Sequence, residues 1–289
     1  MVNTLLHTVI RFGRRHPLGM ISGVLIFLMI MSAAAADLIT PYDPYKVDYS
    51  YQFSPPTANH LLGTDEYGRD LLSRIIYGSR FALLIGVGAS FLGTTVGALI
   101  GVIGAYFGGK TDLLIQRLMD GLLAIPILLM ALVIVAVMGN AIPNLVIAIA
   151  VPMIPRASRV VRASALSVKE TPYIEAARSI AASDLRIIFQ HIVPNVMAPY
   201  LIVMSAVIGQ AILIDAALGF LGLGTTEPTP SWGLMLSGSA SLYALRAPWM
   251  IIFPGVCITL AVFSFNLLGD SLRDAMDPKL RLGRSTTGR

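Results

Sequence analysis

Long apolar runs without charge are the feature that most constrains how this chain folds. No charged residue occurs from Leu18 to Ala36, and none occurs from Phe81 to Gly109. About 20 apolar residues cross the hydrocarbon core of a bilayer as a helix, so both runs are long enough to span a membrane. Only 13% of the 289 residues are charged, whereas soluble domains carry about 25%. The sequence therefore predicts an all-α, polytopic bundle of transmembrane helices.

The chain contains about six such segments. Pro126 is expected to kink the third, and Pro143, Pro152 and Pro155 the fourth, because neighbouring helices can satisfy the backbone groups that proline frees. In the second segment, glycines recur at every fourth position from 93 to 101, a spacing that lets helix backbones approach closely. The predicted segments are 18–38, 81–107, 113–138, 141–161, 196–218 and 249–269.

The distribution of lysine and arginine predicts the orientation of the bundle. With the N-terminus in the cytoplasm, 16 of the 21 basic residues fall in cytoplasmic parts of the chain, as the positive-inside rule requires. We therefore expect both termini inside, external segments at about 39–80 and 219–248, and a cytoplasmic segment at about 162–195. The net charge of +5 reflects this topology and gives little support to nucleic-acid binding.

The cytoplasmic segment has the features of a docking helix. Thr171 suits the N-cap of a helix, and Pro172 suits its first position. The small side chains of Ala176 and Ala177 would let another surface approach this helix closely. We therefore expect a short helix, held away from the membrane by two spans, that contacts a partner.

The run from His60 to Arg74 is rich in polar residues but lacks the pattern of a catalytic or metal site. Asp70 precedes Arg74 by four residues, the favourable order for an intrahelical ion pair. Gly63 and Gly68 permit tight turns. We predict a short amphipathic helix on the membrane surface before the second span, because four apolar residues share one helical face: Leu71, Leu72, Ile75 and Ile76.

The cytoplasmic segment also resembles a known motif. Glu175-Ala176-Ala177, followed by Ile192-Val193-Pro194, resembles the EAA loop of ABC-importer permeases, in which the loop forms a coupling helix in a groove of the ATPase subunit. Ala181 stands where that family usually has glycine, and Val193 where it usually has leucine. The resemblance implies that six residues couple the chain to an ATPase: Glu175, Ala176, Ala177, Arg178, Ala181 and Pro194.

The polar run closely resembles the LGTDxxGRDxxSR signature of the C-type permeases of dipeptide, oligopeptide and nickel importers. Stretches at 117–126, 218–233 and 266–278 resemble the same family in the same order. The resemblance implies a unit at 1–80 with the first span and the external segment, and a permease core of five spans at 81–289. The signature residues are Gly63, Thr64, Asp65, Gly68, Arg69, Asp70 and Arg74.

Three polar residues fall within the predicted spans and are candidates for a translocation path. Asp215 lies near the outer end of the fifth span, and a carboxylate within a membrane is a candidate functional group. Because this span ends within a few residues, contact with interfacial water or a capping role is the favoured interpretation. For Gln210 and Asn266, hydrogen bonding between helices is favoured over lining a path.

The pattern GxxxxGK[ST] occurs at Gly104–Thr111, but it begins at the end of the apolar run of the second span, so we do not expect a phosphate loop there. The single cysteine, Cys257, excludes a CxxC site. We therefore expect no metal and no cofactor on this chain, with ATP bound by partner subunits. The resemblance implies four kinds of contact in a bacterial inner membrane: a homologous permease, two ATPase subunits, an extracytoplasmic solute-binding protein and the lipid bilayer.

The resemblance implies di- or oligopeptides as cargo, and leaves nickel chelates, glutathione or another small solute as alternatives. An ion-coupled secondary transporter is an alternative of a different class. It would need carboxylates deep in the membrane, for which Asp215 is the one candidate. An intramembrane enzyme has little support, because no Ser/His, paired-Asp or HExxH arrangement lies within the spans.

Overall fold

The computed structural model of the protein describes residues 17–237 and 242–276, which form a bundle of helices joined by turns and loops. Five helices are long and apolar enough to cross a membrane, and a bent pair of helices makes a sixth candidate span. The prediction of an all-α polytopic bundle is therefore confirmed. Several predicted features lie outside the described residues: the basic residues Arg11, Arg14 and Arg15, those from Lys279 to Arg289, and Asp277-Pro278 of the tail.

The helices are numbered in chain order. They are α1 (Pro17–Ala34), α2 (Ala36–Ile39), α3 (Leu71–Phe107), α4 (Gly109–Leu123), α5 (Ile127–Met138), α6 (Ile142–Ala150), α7 (Ile154–Lys169), α8 (Pro172–Ser179), α9 (Asp184–Ile187), α10 (Val193–Phe220), α11 (Trp232–Met235) and α12 (Trp249–Met276).

Helix α3 is longer than the sequence predicted and begins at Leu71 rather than near residue 81. The side chain of Asp70 caps it by accepting a hydrogen bond from the Ser73 N–H. Leu71 and Ile75 are buried in its first turns. The predicted separate surface helix is therefore wrong, because the apolar face at 71–76 is the beginning of the second span itself.

Pro126 breaks the third segment where the sequence predicted. Helices α4 and α5 meet at an angle of 90°, because Pro126 has no N–H to donate and its ring disfavours helical geometry at the residue before it. In the fourth segment, Pro143 and Pro155 lie in the first turns of α6 and α7, so the kink predicted at Pro143 is absent, because the first turn of a helix tolerates proline. Between α6 and α7 the break is a single 3₁₀ turn, Val151–Met153, that contains Pro152. The kink in the third segment is therefore a right-angled bend, whereas the fourth continues as one span.

Helix α3 packs backbone against backbone on the end of α6 and on α7 along a glycine stripe, as the four-residue spacing predicted. A Cβ atom added at Gly93, Gly97 or Gly101 would lie 2.4–2.6 Å from a carbonyl oxygen of the facing chain. Real Cβ atoms do not approach an oxygen so closely. The facing carbonyls belong to Ala150, Ile154 and Ser158.

Several apolar clusters hold the described bundle together, and one of them packs α1 and α12 against α3, α10 and α11. The largest joins α3, α5, α6, α7 and α10. Another joins the last turns of α3 to α7, α8 and the segment from Ile187 to Val196. The loop between the fourth and fifth spans is thus packed onto the bundle. We call the end that carries this loop the loop end, and the opposite end, with residues 40–70 and 221–237, the cap end.

Candidate functional site

The candidate docking helix, α8, begins after Thr171 as predicted, with Pro172 in its first turn. The hydroxyl of Thr171 does not cap it, however. It donates to the carbonyl oxygen of Val168, at the end of the preceding helix. The position of the predicted cap is therefore right and its hydrogen bond is wrong, because the hydroxyl closes the turn that leads out of α7.

The two faces of α8 differ sharply. Ile174 and Ala177, three residues apart, point into the apolar cluster at the loop end, and Ala177 is only 7% exposed. Glu175, Ala176 and Arg178 are exposed. The expectation that Ala177 faces a partner is therefore wrong, since its small side chain lets α8 pack against its own bundle. In the described part of the chain, the carboxylate of Glu175 has no hydrogen bond or ion pair.

Large apolar side chains surround the exposed face of α8. Ile180 is 79% exposed and Leu185 is 68% exposed. Tyr173 and Phe189 are also exposed. Sequence reasoning missed these residues. Their signal was available, since bulky apolar residues in a segment predicted to lie outside the membrane suggest a contact surface.

The end of α8 explains why Ala181 occupies a position where the resembling family has glycine. Ala181 has a φ of 56°, in the left-handed region that side chains other than glycine disfavour. The Ala182 N–H bonds to the Ala177 carbonyl and the Ala181 N–H to the Arg178 carbonyl, which is the Schellman ending of a helix. The alanine is therefore strained by about 1 kcal/mol.

Ala181→Gly is expected to relieve this strain and stabilise the end of α8 by about 1 kcal/mol. Hydrogen exchange at the Ala181 and Ala182 amides should slow about fivefold in the purified protein. Ala182→Gly is the matched control and should not slow exchange, because the positive φ belongs to its neighbour. Faster exchange in Ala181→Gly would contradict the account.

The second half of the loop leads directly into the fifth span. Helix α9 continues through a π turn, Ile188–Ile192, into α10. Pro194 lies in the first turn of α10 and is exposed. Together these elements form one continuous candidate span, Asp184–Phe220.

The loop also contacts the last turn of α3 through polar groups that sequence reasoning missed. The hydroxyl of Tyr106 donates to the Asp184 carboxylate. The guanidinium carbon of Arg178 lies 5.5 Å from the centroid of the Tyr106 ring. These residues line an open polar cleft of about 380 Å³ at the loop end.

At the cap end, the signature residues form a buried network of ion pairs. Arg69 Nε lies 2.6 Å from Asp65 Oδ2, and Arg69 Nη1 lies 2.6 Å from Glu227 Oε2. The Arg69 and Asp65 side chains are only 5% and 6% exposed. Burial opposes the charge on Arg69, but its hydrogen bond to Glu227 and the charge of Asp65 outweigh burial and raise the pKa of Arg69.

The predicted ion pair between Asp70 and Arg74 is wrong. Asp70 Oδ1 lies 2.9 Å from His60 Nδ1, and the carboxylate also caps α3. The Arg74 guanidinium instead donates to the Pro44 carbonyl at 3.1 Å and to the Pro228 carbonyl at 3.3 Å. Arg74 therefore joins both halves of the cap to the start of α3.

The remaining signature residues shape the backbone of the cap. Gly63 and Gly68 have φ values of 79° and 72°, which confirms the predicted tight turns. A Cβ at Gly68 would lie 1.8 Å from the Asp48 carbonyl oxygen. Thr64 forms a β-bridge with Asp70 and accepts a hydrogen bond from the Trp249 indole N–H at its carbonyl. Within residues 17–237 and 242–276, no group of three or more His, Cys, Asp or Glu side chains is placed to hold a metal ion.

The three candidate path residues do not form one site. Gln210 and Asp215 are five residues apart on α10, so their side chains point about 140° apart around its axis. Asn266 lies on α12, with its Oδ1 atom beside Gly209. Neither Gln210 nor Asn266 has a side-chain hydrogen bond within the described ranges. The predicted hydrogen bonding between helices is therefore absent there.

The position of Asp215 contradicts the favoured interpretation, which was contact with interfacial water or a capping role. It is only 5% exposed, in the last third of α10, so it neither reaches water nor caps the end of the helix. Its carboxyl group has no hydrogen bond or ion pair among the residues that the structure describes. A role for Asp215, Gln210 and Asn266 in the path stays a prediction.

Comparison with known proteins places these features in a family. The family model described as "Binding-protein-dependent transport system inner membrane component" matches residues 93–282. A second, described as "N-terminal TM domain of oligopeptide transport permease C", matches residues 4–56. The matches include α8 and the cap segment up to residue 56.

Similar proteins cover nearly the whole chain. A putative peptide transport system permease protein of Brucella abortus is 42% identical over 268 residues, 93% of this chain and 90% of its own length. The di/tripeptide transport system permease protein of Pseudomonas aeruginosa is 43% identical over 273 residues, 92% and 90%. The glutathione transport system permease protein of Escherichia coli O6:K15:H31 is 41% identical over 272 residues, 94% and 89%.

The family match covers more than half of the chain, and the relatives exceed 40% identity over most of it. The described helices agree with a multi-pass protein of the inner membrane. A protein of this kind is a transport subunit, rather than a catalytic one, that works with other transporter subunits. The chain therefore belongs to the binding-protein-dependent inner membrane components, the permease subunits of ABC importers.

Proposed function

We propose that this permease forms half of a translocation path for di- and oligopeptides and is coupled to a separate ATPase through α8. The observation that best supports this proposal is the way α8 packs on the bundle. It is fixed to the bundle through Ile174 and Ala177, while Glu175, Ala176 and Arg178 stay exposed. A helix fixed on one face and free on the other is suited to pass the movement of a partner to the spans.

The proposal includes the orientation and the partners. The loop end lies in the cytoplasm, where each of two ATPase subunits contacts one permease, and a homologous permease supplies the other half of the path. ATP binds to the ATPase subunits. In support, the one match of this chain to the phosphate-loop pattern GxxxxGK[ST], at residues 104–111, begins in the last turn of α3, whereas a phosphate loop follows a strand. The cap end faces outward and receives an extracytoplasmic solute-binding protein.

The substrate class rests on the relatives. Those named above are described as permeases for peptides, di- and tripeptides or glutathione. We propose short peptides as the cargo. Glutathione is the second candidate, supported by relatives 41% identical over 94% of this chain. Competition between trialanine and glutathione for uptake by the complete transporter distinguishes the two.

Ala176→Trp is expected to reduce ATP-driven uptake at least tenfold, because a bulky ring on the exposed face of α8 would keep an ATPase from approaching. Ala176 is exposed, so the amount of inserted permease should stay unchanged. The measurement is uptake of labelled peptide into proteoliposomes with the complete complex. Ala176→Ser, which keeps a small side chain, is the control. Uptake at the wild-type rate in Ala176→Trp would contradict the docking role of α8.

A further inference from the structure

Three segments of the loop converge on the last turn of α3. From the end of α7, Lys169 Nζ donates to the Ala105 carbonyl oxygen at 3.0 Å. From α8, the Arg178 guanidinium lies over the Tyr106 ring, and from the start of α9, Asp184 accepts the Tyr106 hydroxyl. Tyr106 is the residue that contacts both α8 and α9 through its polar and aromatic groups.

The apolar residues around Tyr106 hold its ring in place, and its hydroxyl is left to form a hydrogen bond with Asp184. The ring is buried in the apolar cluster at the loop end, and a buried tyrosine usually presents its hydroxyl to a polar partner. Asp184 is exposed, so water would hydrate its carboxylate if the hydroxyl were removed. Loss of this bond would therefore remove the hydrogen bond between α9 and α3 without leaving a buried charge.

Helix α3 extends from this contact to the cap. Its 37 residues correspond to about 55 Å at about 1.5 Å per residue. It contains no proline, whereas α10 and α12 contain Pro199 and Pro254. At its other end Arg74 bonds to the carbonyls of Pro44 and Pro228 in the cap. One uninterrupted, proline-free helix thus joins the loop to both halves of the cap.

We propose that Tyr106 is a positioning residue that makes α3 follow the movement of α8 and α9, so that an event at the loop is transmitted to the cap. This inference rests on the proposed coupling of α8 to an ATPase. The hydroxyl bond to Asp184 and the contact with Arg178 make the loop and the end of α3 move together. The cap follows because Arg74 belongs to the same helix.

The test compares the Tyr106→Phe variant with the protein that keeps Tyr106, each in the complete transporter. A fluorophore on Leu61→Cys, a position in the cap that is 60% exposed, reports the cap in a Cys257→Ser background. Addition of ATP and vanadate should change its emission in the reference protein. In Tyr106→Phe the change should be at least fivefold smaller, while the KM for ATP and co-purification of the ATPase stay unchanged.

Tyr200→Phe is the matched control. The Tyr200 hydroxyl lies 2.9 Å from the Thr95 Oγ1 atom, so this change removes a tyrosine hydroxyl contact from α3 away from the loop helices, and the cap should respond normally. Asp184→Ala removes the acceptor of the Tyr106 hydroxyl and should weaken the response as Tyr106→Phe does. The double variant should be no weaker than either single one, because both changes break the same bond.

The outcomes separate this inference from the proposed function. A normal cap response in Tyr106→Phe, with Ala176→Trp inactive, would overturn the role of Tyr106 alone. Normal behaviour of both variants would overturn the docking role of α8 as well. Loss of ATPase co-purification in Tyr106→Phe, or additive effects in the double variant, would assign Tyr106 to docking or to folding and overturn its role in transmission.

Discussion

Gly97→Ala is expected to destabilise the permease by about 3 kcal/mol and to reduce the amount of folded protein in the membrane severely. The added Cβ would lie 2.5 Å from the Ile154 carbonyl oxygen and 2.8 Å from the Ala157 Cβ. Both are backbone or backbone-linked atoms that no side-chain rotation can move. Helices α3 and α7 would have to separate along the stripe from Gly93 to Gly101, losing the close packing that holds membrane helices together.

Gly88→Ala is the matched control for this prediction. It lies on the same helix, and its added Cβ would make an ordinary contact 3.6 Å from the Val146 methyl groups. The thermal midpoint of the detergent-purified protein should fall strongly for Gly97→Ala and little for Gly88→Ala. Similar midpoints for both variants would show that α3 and α7 do not pack as described.

Arg69→Met is expected to destabilise the cap by about 3–5 kcal/mol, because it leaves the buried Asp65 carboxylate without its closest partner. Arg74 is the remaining cation near Asp65, but its Nε atom lies 3.6 Å from Asp65 Oδ2. The expected result is faster proteolysis of the segment from residue 40 to 70 in the purified protein, with the helices at the loop end still protected.

Arg80→Met is the control for the cap. Arg80 pairs with Asp37 through a 2.7 Å contact in which the Arg80 side chain is 32% exposed and the Asp37 side chain is 64% exposed, so water and salt screen the interaction. Proteolysis should therefore change little. Equal sensitivity of the two variants would mean that burial does not distinguish these ion pairs and that the signature at the cap is not a structural network.

Much of the bundle could be predicted from local features of the sequence. The apolar runs locate the spans because a bilayer requires a fixed length of helix. Pro126 locates the bend between α4 and α5, and the glycine stripe identifies the tightest helix contact. The size of the bend was not predictable, since it depends on which helices satisfy the freed backbone groups.

The cap was mispredicted because its partners are distant in sequence. A carboxylate four residues before an arginine favours a local pair, which suggested Asp70 and Arg74. The structure instead brings Pro228 to Arg74 and Glu227 to Arg69. Nothing near residue 70 identifies a partner more than 150 positions away, and the sequence pattern of 71–76 fits the start of a span as well as a surface helix.

The position of α8 was predicted correctly, but which of its faces is buried and which is exposed was not. Two adjacent alanines suggest that another surface packs closely on α8, but they do not indicate whether that surface belongs to the same chain or to a partner. The three-residue spacing of Ile174 and Ala177 would have indicated that both point toward the bundle. The exposed side is identified instead by Ala176 and the large apolar residues around α8, which only the packed structure separates from the core.

The most direct test of the central claim is a cross-link between α8 and an ATPase subunit. In a Cys257→Ser background, Ala176→Cys in the complete transporter should form an adduct with the ATPase through a short thiol-to-amine reagent, whereas Leu61→Cys at the cap should not. In intact cells a membrane-impermeant thiol reagent should label Leu61→Cys and leave Ala176→Cys unlabelled. An ATPase adduct at Leu61→Cys, or none at Ala176→Cys, would contradict the coupling of this permease through α8.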